Sequence, residues 1–288
     1  MSMDAALYIS TLDQLSVASG KPALSDFAVI DLAGSPGFLT SLYGAMDRGP
    51  IRWDSLLELT RWQSGWQFGP ILVDLRGRAD FQAIVTDTLT AGAIGILIKN
   101  SLDYEETLAW SRSRLFALAE SDDRLFRFYE PRSLKALLAA LGTRTQGLLP
   151  LNWMLFWHDT NQWLSWQDHS EIKPGSSVLE WRLSESQLGS LPDYRMADRA
   201  CRWASVYDDH LSSDGDKRLW VLEQLQHAHD HGFLKVAQQE RWLRLAIQSG
   251  APLLSDSAFR ALVENADMTD EDRLEAMECL MEYDHATT

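Results

Sequence analysis

The sequence predicts an α/β fold. It has an N-terminal α/β domain with a mostly parallel central sheet and an aromatic edge hairpin, followed by an all-helical C-terminal lobe. Three observations lead there. Continuous apolar runs alternate with helical spacing through the first half of the chain. Two tryptophan-rich runs then flank an Asp/Asn turn. Beyond Pro192 the apolar residues recur only at helical spacing. Uninterrupted apolar strands separated by helices point to a sheet covered on both faces, a pattern parallel sheets favour. The expected boundaries are residues 1–183 for the α/β domain and 190–288 for the lobe.

The first strand covers residues 27–32, ending in Asp31 and Leu32. Gly34, Pro36 and Gly37 break it, and Phe38, Leu39, Leu42 and Tyr43 begin a short helix. The second strand is 70–75, with a helix over 81–89. The third is 92–98, with a helix over about 104–119. Residues 125–132 read Leu125-Phe126-Arg127-Phe128-Tyr129-Glu130-Pro131-Arg132. Phe126 and Phe128 alternate with Arg127 and Tyr129, as in a half-buried strand. Pro131 lacks an amide donor and suits the first turn of a helix, and Leu134, Leu137, Leu138 and Leu141 continue at helical spacing. The block therefore reads as a strand running straight into a helix.

From Leu151 the texture changes. Trp153 and Trp157, then Trp163 and Trp166, flank Asp159-Thr160-Asn161 and predict a β-hairpin over 152–166 at an edge of the sheet. These indoles read as sheet packing rather than as a binding platform. Residues 173–177 predict a loop and 184–192 a linker. Five helices follow. Met196, Ala200, Trp203 and Tyr207 mark the first, and Leu219, Leu222 and Leu225 the second. Trp242, Leu245 and Ala246 mark the third, which stops at Gly250 before Pro252. Ala258 and Leu262 mark the fourth. Thr269 with Asp272 resembles a capping box at the start of the fifth, which carries Leu274, Met277 and Met281.

Composition excludes several function classes. With 45% hydrophobic and 23% charged residues the chain is an ordinary globular protein. Its net charge of −15, from 41 acidic against 26 basic residues, argues against sequence-independent nucleic-acid binding. It suits capture of a basic protein partner. Residues 190–288 are the more acidic part, with 19 acidic against 10 basic residues. Cys201 and Cys279 give no disulfide framework, so a reducing cytoplasm is the expected location. The start lacks a basic segment followed by an apolar one, and no run approaches the ~18 apolar residues that would cross a membrane.

No catalytic constellation stands out, and no enzyme activity, cofactor or metal is expected. His227, His229 and His231 lie two apart, so on a helix only His227 and His231 share a face; they read as an exposed helix end running into Gly232. Asp31 and Asp74 each end an apolar strand, where α/β enzymes place catalytic groups. Each is soon followed by glycine, however, and reads as a helix cap. Arg127 and Arg132 either bind a carboxylate or phosphate, or pair locally with Glu130, Asp122 or Asp123.

The block at 125–132 also resembles a family signature. Adaptor (chaperone) proteins that load toxins onto the spike of the bacterial type VI secretion system carry "phenylalanine-arginine-phenylalanine-tyrosine-aspartate-proline-arginine" here, with Glu130 in place of the usual aspartate. Residues 27–33 resemble that family's first strand and 69–75 its second, although Leu32 and Ile71 stand where glycine and tyrosine are usual. The hairpin has its counterpart, and 231–250 resembles the helical lobe often attached. The resemblance implies a non-enzymatic protein with two protein partners, a toxic effector and a VgrG-type spike protein. It does not assign the surfaces.

Our own reading places partner contacts at Arg127, Tyr129, Glu130 and Arg132, and at Trp203, Trp220, Phe233 and Trp242. Four large aromatics exceed what five short helices need, so at least one is expected to face a groove; burial of all four is the competing reading. The alternative function, from a different class, is an acidic immunity or inhibitor protein that neutralises a basic toxin.

Overall fold

The computed structural model describes residues 5–15, 17–116, 125–142, 153–159, 162–167, 183–212, 214–250 and 252–286. The chain divides into two compact units, Ser10–Arg195 and Met1–Ile9 with Met196–Thr288.

A first helix, α1, covers Ala5–Leu15, and the first unit holds a seven-stranded sheet. Its strands are β1 (Val17–Ser19), β2 (Phe27–Asp31), β3 (Trp53–Ser55), β4 (Pro70–Asp74), β5 (Gly95–Lys99), β6 (Met154–Asp159) and β7 (Gln162–Gln167). The spatial order is β1-β7-β6-β5-β2-β4-β3, and every neighbouring pair is antiparallel. The expected mostly parallel sheet is therefore wrong. The helical alternation that suggested it is real: β4 leads through a helix, α3 (Ala79–Ala91), to β5. Those two strands run the same way, but β2 lies between them and runs oppositely, hydrogen-bonded to both. A continuous apolar run reports burial on two faces and says nothing about direction.

Both faces are indeed covered. Four of the five residues in each of β2, β4 and β5 are buried. Ala28, Ile30, Ile71, Val73 and Leu97 pack with Phe81, Val85 and Leu89 of α3 and with Phe38 and Leu42 of α2 (Phe38–Met46). On the opposite face Phe27 meets the edge of Tyr104, at a ring separation of 6.1 Å. Tyr104 begins α4 (Tyr104–Arg114), which a complete capping box starts: Asp103 accepts from the Glu106 amide and Glu106 accepts from the Asp103 amide. Helix α5 (Pro131–Leu141) packs against β6 and is buried through Leu134, Leu137, Leu138 and Leu141.

The hairpin is present, but it is not at the edge, because the three-residue β1 pairs with β7 and closes that side. Trp153, Trp157 and Trp163 are buried and Trp166 is half-buried, in keeping with indoles that pack on the sheet. Asn152 and the turn residues Thr160 and Asn161 fall outside the described residues, as do the loop at 173–177, the end of the helix expected to reach residue 119, and Asp122 and Asp123.

Two local expectations fail. Residues 125–130 form no strand. Phe128 N–H donates to Phe126 C=O at 3.0 Å and Glu130 N–H to Arg127 C=O at 3.1 Å. These turn bonds use amides that a strand would give to a neighbour. The linker expected at 184–192 is helix: α6 runs Glu185–Val206 with Pro192 inside it. Proline within a helix costs one hydrogen bond and kinks the axis, and here it does not end the helix.

The second unit contains α7 (Lys217–Asp230), α8 (Val236–Ser249), α9 (Ser257–Val263) and α10 (Asp270–Ala286). Its core gathers Ala228, Phe233, Trp242, Leu245, Phe259, Leu274 and Met277. Helix α7 ends where Phe233 N–H reaches back to Ala228 C=O at 2.9 Å across Gly232, whose φ is +91°. The bend drives Phe233 into the core. At the start of α10 the Asp272 amide donates to Thr269 Oγ1 at 3.2 Å, as the capping pattern predicts.

Gly95 shows how tightly β5 and β2 approach. A Cβ there would lie 2.1 Å from the Val29 carbonyl oxygen and 3.2 Å from Ile30 Cα. We expect Gly95→Ala to lower unfolding free energy by about 3 kcal/mol or more, measured by urea denaturation. Gly44, exposed on α2 with nothing within 4 Å of such a Cβ, is the control. Gly44→Ala should raise stability by about 0.5–1 kcal/mol.

Candidate interaction site

The 125–132 block is held to the end of the sheet where β2 finishes. Its approach is set by the Phe126 amide, which donates to Leu115 C=O at 2.9 Å just past α4. Phe126, Phe128 and Tyr129 are all buried. Phe128 packs edge-on against Trp110, at 5.3 Å, and against Tyr129, at 5.6 Å, while Trp110 in turn meets Trp153 at 4.6 Å. Three aromatics of the block thus belong to the core. Glu130 is extended, with φ −79° and ψ 120°, as a residue before proline prefers, and Pro131 opens α5.

Asp31 is the polar anchor. Its Oδ1 accepts from the Ala33 amide at 3.1 Å and caps the short 3-10 turn that follows β2. Its Oδ2 lies 3.7 Å from the Arg127 guanidinium. The Asp31 side chain is 13% exposed and that of Arg127 56% exposed. Burial raises the Asp31 pKa above its ordinary value, and the Ala33 amide and Arg127 oppose that rise. Tyr129 also sits within the field of Asp31. Its hydroxyl is pushed well above the ordinary tyrosine range, chiefly by burial and then by the Asp31 charge. Buried and packed against Phe128, the ring has a structural place.

Of the residues assigned from sequence, Arg127, Tyr129, Glu130 and Arg132 come together on this block, with Arg127 and Arg132 exposed, Glu130 half-buried and Tyr129 inside. Arg127 finds Asp31, a partner distant in sequence. Among the described residues Arg132 makes no ion pair. In the second unit, Phe233 and Trp242 are fully buried and pack together at 5.5 Å, so they build the core. Trp203 and Trp220 are half-buried, and the Arg199 guanidinium lies 5.8 Å from the Trp203 ring.

The remaining candidates resolve as follows. Asp31 and Asp74 are not neighbours. Asp31 faces Pro70 and Asp74 faces Phe27 in the ladder, so they stand four residues apart along the strands, about 13 Å. Asp74 caps its own turn, accepting from the Arg76 amide at 3.0 Å, and forms a two-point ion pair with the Arg76 guanidinium. His227 and His229 are exposed at the end of α7, and His231 stacks on Trp242 at 5.9 Å. Among the described residues no group of three His, Cys, Asp or Glu side chains is placed to hold a metal. No helix among them is long and apolar enough to cross a membrane.

With this geometry in view, comparison with known proteins gives one match. Residues 27–147 match the family model described as a domain of unknown function, DUF4123. That domain is associated with effector adaptors of type VI secretion. The match begins at the first residue of β2 and contains the 125–132 block; it spans less than half of the chain. No curated protein and no solved structure matches.

The capping and charge roles of Asp31 are separable. Asp31→Ala removes the acceptor for the Ala33 amide and should cost about 1 kcal/mol. Asp31→Asn keeps an acceptor and removes the buried charge, so it should cost less. The folded-state pKa of Asp31 is raised, so the folded protein holds the proton to higher pH than the unfolded chain. Wild type should therefore lose stability relative to Asp31→Asn as pH rises from about 3.8, the ordinary value, through the raised one. Paired urea titrations across that window measure the difference.

Proposed function

We propose that this protein is a type VI secretion adaptor that binds a toxic effector and joins it to a VgrG-type spike protein in the cytoplasm. The match of residues 27–147 to the DUF4123 model carries the reading. The arrangement of the signature block supports it. The aromatic residues of the block are spent on the core, whereas Arg127 and Arg132 reach solvent. A guanidinium can grip a carboxylate through two parallel bonds, which suits recognition of an acidic group on a partner. The acidic charge of residues 190–288 would attract basic surface and speed encounter. Binding energy would come from a few anchors, with charge setting the choice of partner.

The test is co-purification. The tagged chain, co-expressed with candidate effectors and VgrG-type proteins of the same genome, should retain one of each at physiological salt. Retention of neither contradicts the adaptor reading. Inhibition of the toxin by the pure chain, with no spike protein present, would instead identify an acidic inhibitor.

Arg132 gives a sharper prediction within the same assay. The side chain is exposed and, among the described residues, unpaired, so Arg132→Ala should leave the thermal midpoint within about 1–2 °C of wild type. Partner retention should nevertheless fall. An unchanged melt together with unchanged retention would show that Arg132 takes no part in either.

A further inference from the structure

A recess of about 290 Å³ opens beside the edge strand β3, lined by Trp53, Asp54, Ser55, Glu58, Gln63 and Trp66. The chain between β3 and β4 builds it. After Leu57 the backbone turns through Leu59, whose φ is +62°. That left-handed conformation is rare for a branched apolar residue. It is held by Thr60 Oγ1 donating to Leu57 C=O at 2.6 Å and by the Leu59 amide donating to Gln63 Oε1 at 3.2 Å. Two 3-10 turns over Gln63–Phe68 then bring Trp66 beside Trp53, with ring centroids 5.7 Å apart and planes inclined by 36°. Leu59 is 85% exposed and Phe68 69% exposed. Backbone strain and exposed apolar side chains in one loop are costs that folding alone does not explain.

The chemistry of the lining selects a ligand. Asp54 Oδ2 accepts from the Tyr104 hydroxyl at 2.8 Å, a neutral donor that leaves the carboxylate charge in place. Glu58 Oε2 accepts from Arg112 at 2.8 Å. Arg52 lies over the Tyr104 ring and pairs with Glu105. Of the residues that line the recess, Asp54 and Glu58 are acidic and none is basic, so the lining itself is net negative. On other aromatic rings of the unit the protein lays its own guanidiniums: Arg52 on Tyr104 at 3.9 Å, Arg61 on Trp62 at 4.1 Å and Arg76 on Phe27 at 4.6 Å. Among the described residues Trp53 and Trp66 carry no such cation. Indole is the ring that attracts a cation best.

The strand edge adds a backbone handle. Arg52 C=O accepts from the Asp74 amide, and the Leu56 amide donates to Pro70 C=O, so the even-numbered residues of this segment face β4. The backbone groups of Trp53 and Ser55 point the other way. Ser55 C=O is taken by Arg112 at 2.9 Å, which leaves Trp53, among the described residues, as the open rung.

We propose that this recess receives an arginine or lysine side chain from an extended segment of a protein partner. The cation would lie on the Trp53 and Trp66 rings in a recess that Asp54 and Glu58 also line, while the segment's backbone meets Trp53 and its apolar neighbours meet Leu59. The proposal rests on this local chemistry and stands whether or not the protein is an adaptor.

The experiment uses the full-length chain, isotopically labelled, with tryptophan indole resonances assigned. It is titrated with a short capped peptide carrying a central arginine flanked by leucines, and with citrulline- and glutamate-centred versions. Saturable shifts at the Trp53 and Trp66 indoles are expected with the arginine peptide. The affinity should be about tenfold weaker for citrulline, which is nearly isosteric but neutral. Trp66→Leu and Asp54→Asn should each weaken arginine-peptide binding by about tenfold. Asp54→Asn keeps an acceptor for Tyr104, so it separates lost charge from lost fold, and a melt of each variant confirms folding. Three results would overturn the proposal: no saturable shift at these two indoles, equal affinity for arginine and citrulline peptides, or unchanged affinity in folded Asp54→Asn.

Discussion

The structure depends on one strand in an unexpected direction. β2 is hydrogen-bonded on both sides, buried on both faces and antiparallel to both neighbours. Because it separates β4 from β5, the helical crossover between those two strands must span it, which puts α3 over β2 rather than over a gap. The same direction sends the C-terminal end of β2 away from that of β4. Asp31 and Asp74, which end those strands, are thereby delivered to opposite ends of the sheet. Each is then free to cap its own turn and take its own arginine, Arg127 or Arg76.

What was legible in the sequence follows from this. Burial leaves a mark in the residues, so the apolar runs containing β2, β4 and β5 were placed correctly, as were the helices that follow Pro131, Asp103 and Thr269. Direction leaves no such mark, since an apolar strand between two covering layers looks alike in either sense. The alternation of Phe126 and Phe128 suggested a strand because both rings are buried. Tyr129, next to Phe128, is buried too, which a strand with one solvent face does not allow, and the chain achieves it with turns. Pro192 was over-read as a boundary. The Asp31–Arg127 contact was illegible because it joins segments far apart in sequence. The tryptophans of residues 53–66 are dense in the sequence, but the left-handed Leu59 and the place of β3 at the end of the strand order come only from the fold.

For function, the fold sorts the signature block into two kinds of residue. Phe128 packs on Trp110 of α4, which meets Trp153 just before β6, and Phe126 and Tyr129 are buried too, so these aromatics join the start of α5 to the core. Arg127, Glu130 and Arg132 are the members left with access to solvent. A motif whose aromatics serve the core and whose charges face outward suits a scaffold that presents a surface. The aromatic recess lies on β3, two strands from β2 at an edge of the order, so the unit offers two chemically distinct surfaces: one with exposed guanidiniums and one lined by tryptophans and carboxylates.

The direction of β2 is the claim on which these placements stand, and NMR tests it directly. In antiparallel pairing the non-hydrogen-bonded partners bring their Cα atoms to about 4.5 Å, close enough for strong Hα–Hα cross-relaxation. The hydrogen bonds from Leu75 N–H to Asp26 C=O and from Asp31 N–H to Ile94 C=O fix which partners those are. Val29 with Leu72, and Ala28 with Leu97, should therefore show strong Hα–Hα cross-peaks. If both were absent from a fully assigned spectrum, with the sequential contacts of a parallel ladder in their place, β2 would run the other way and the account would fail.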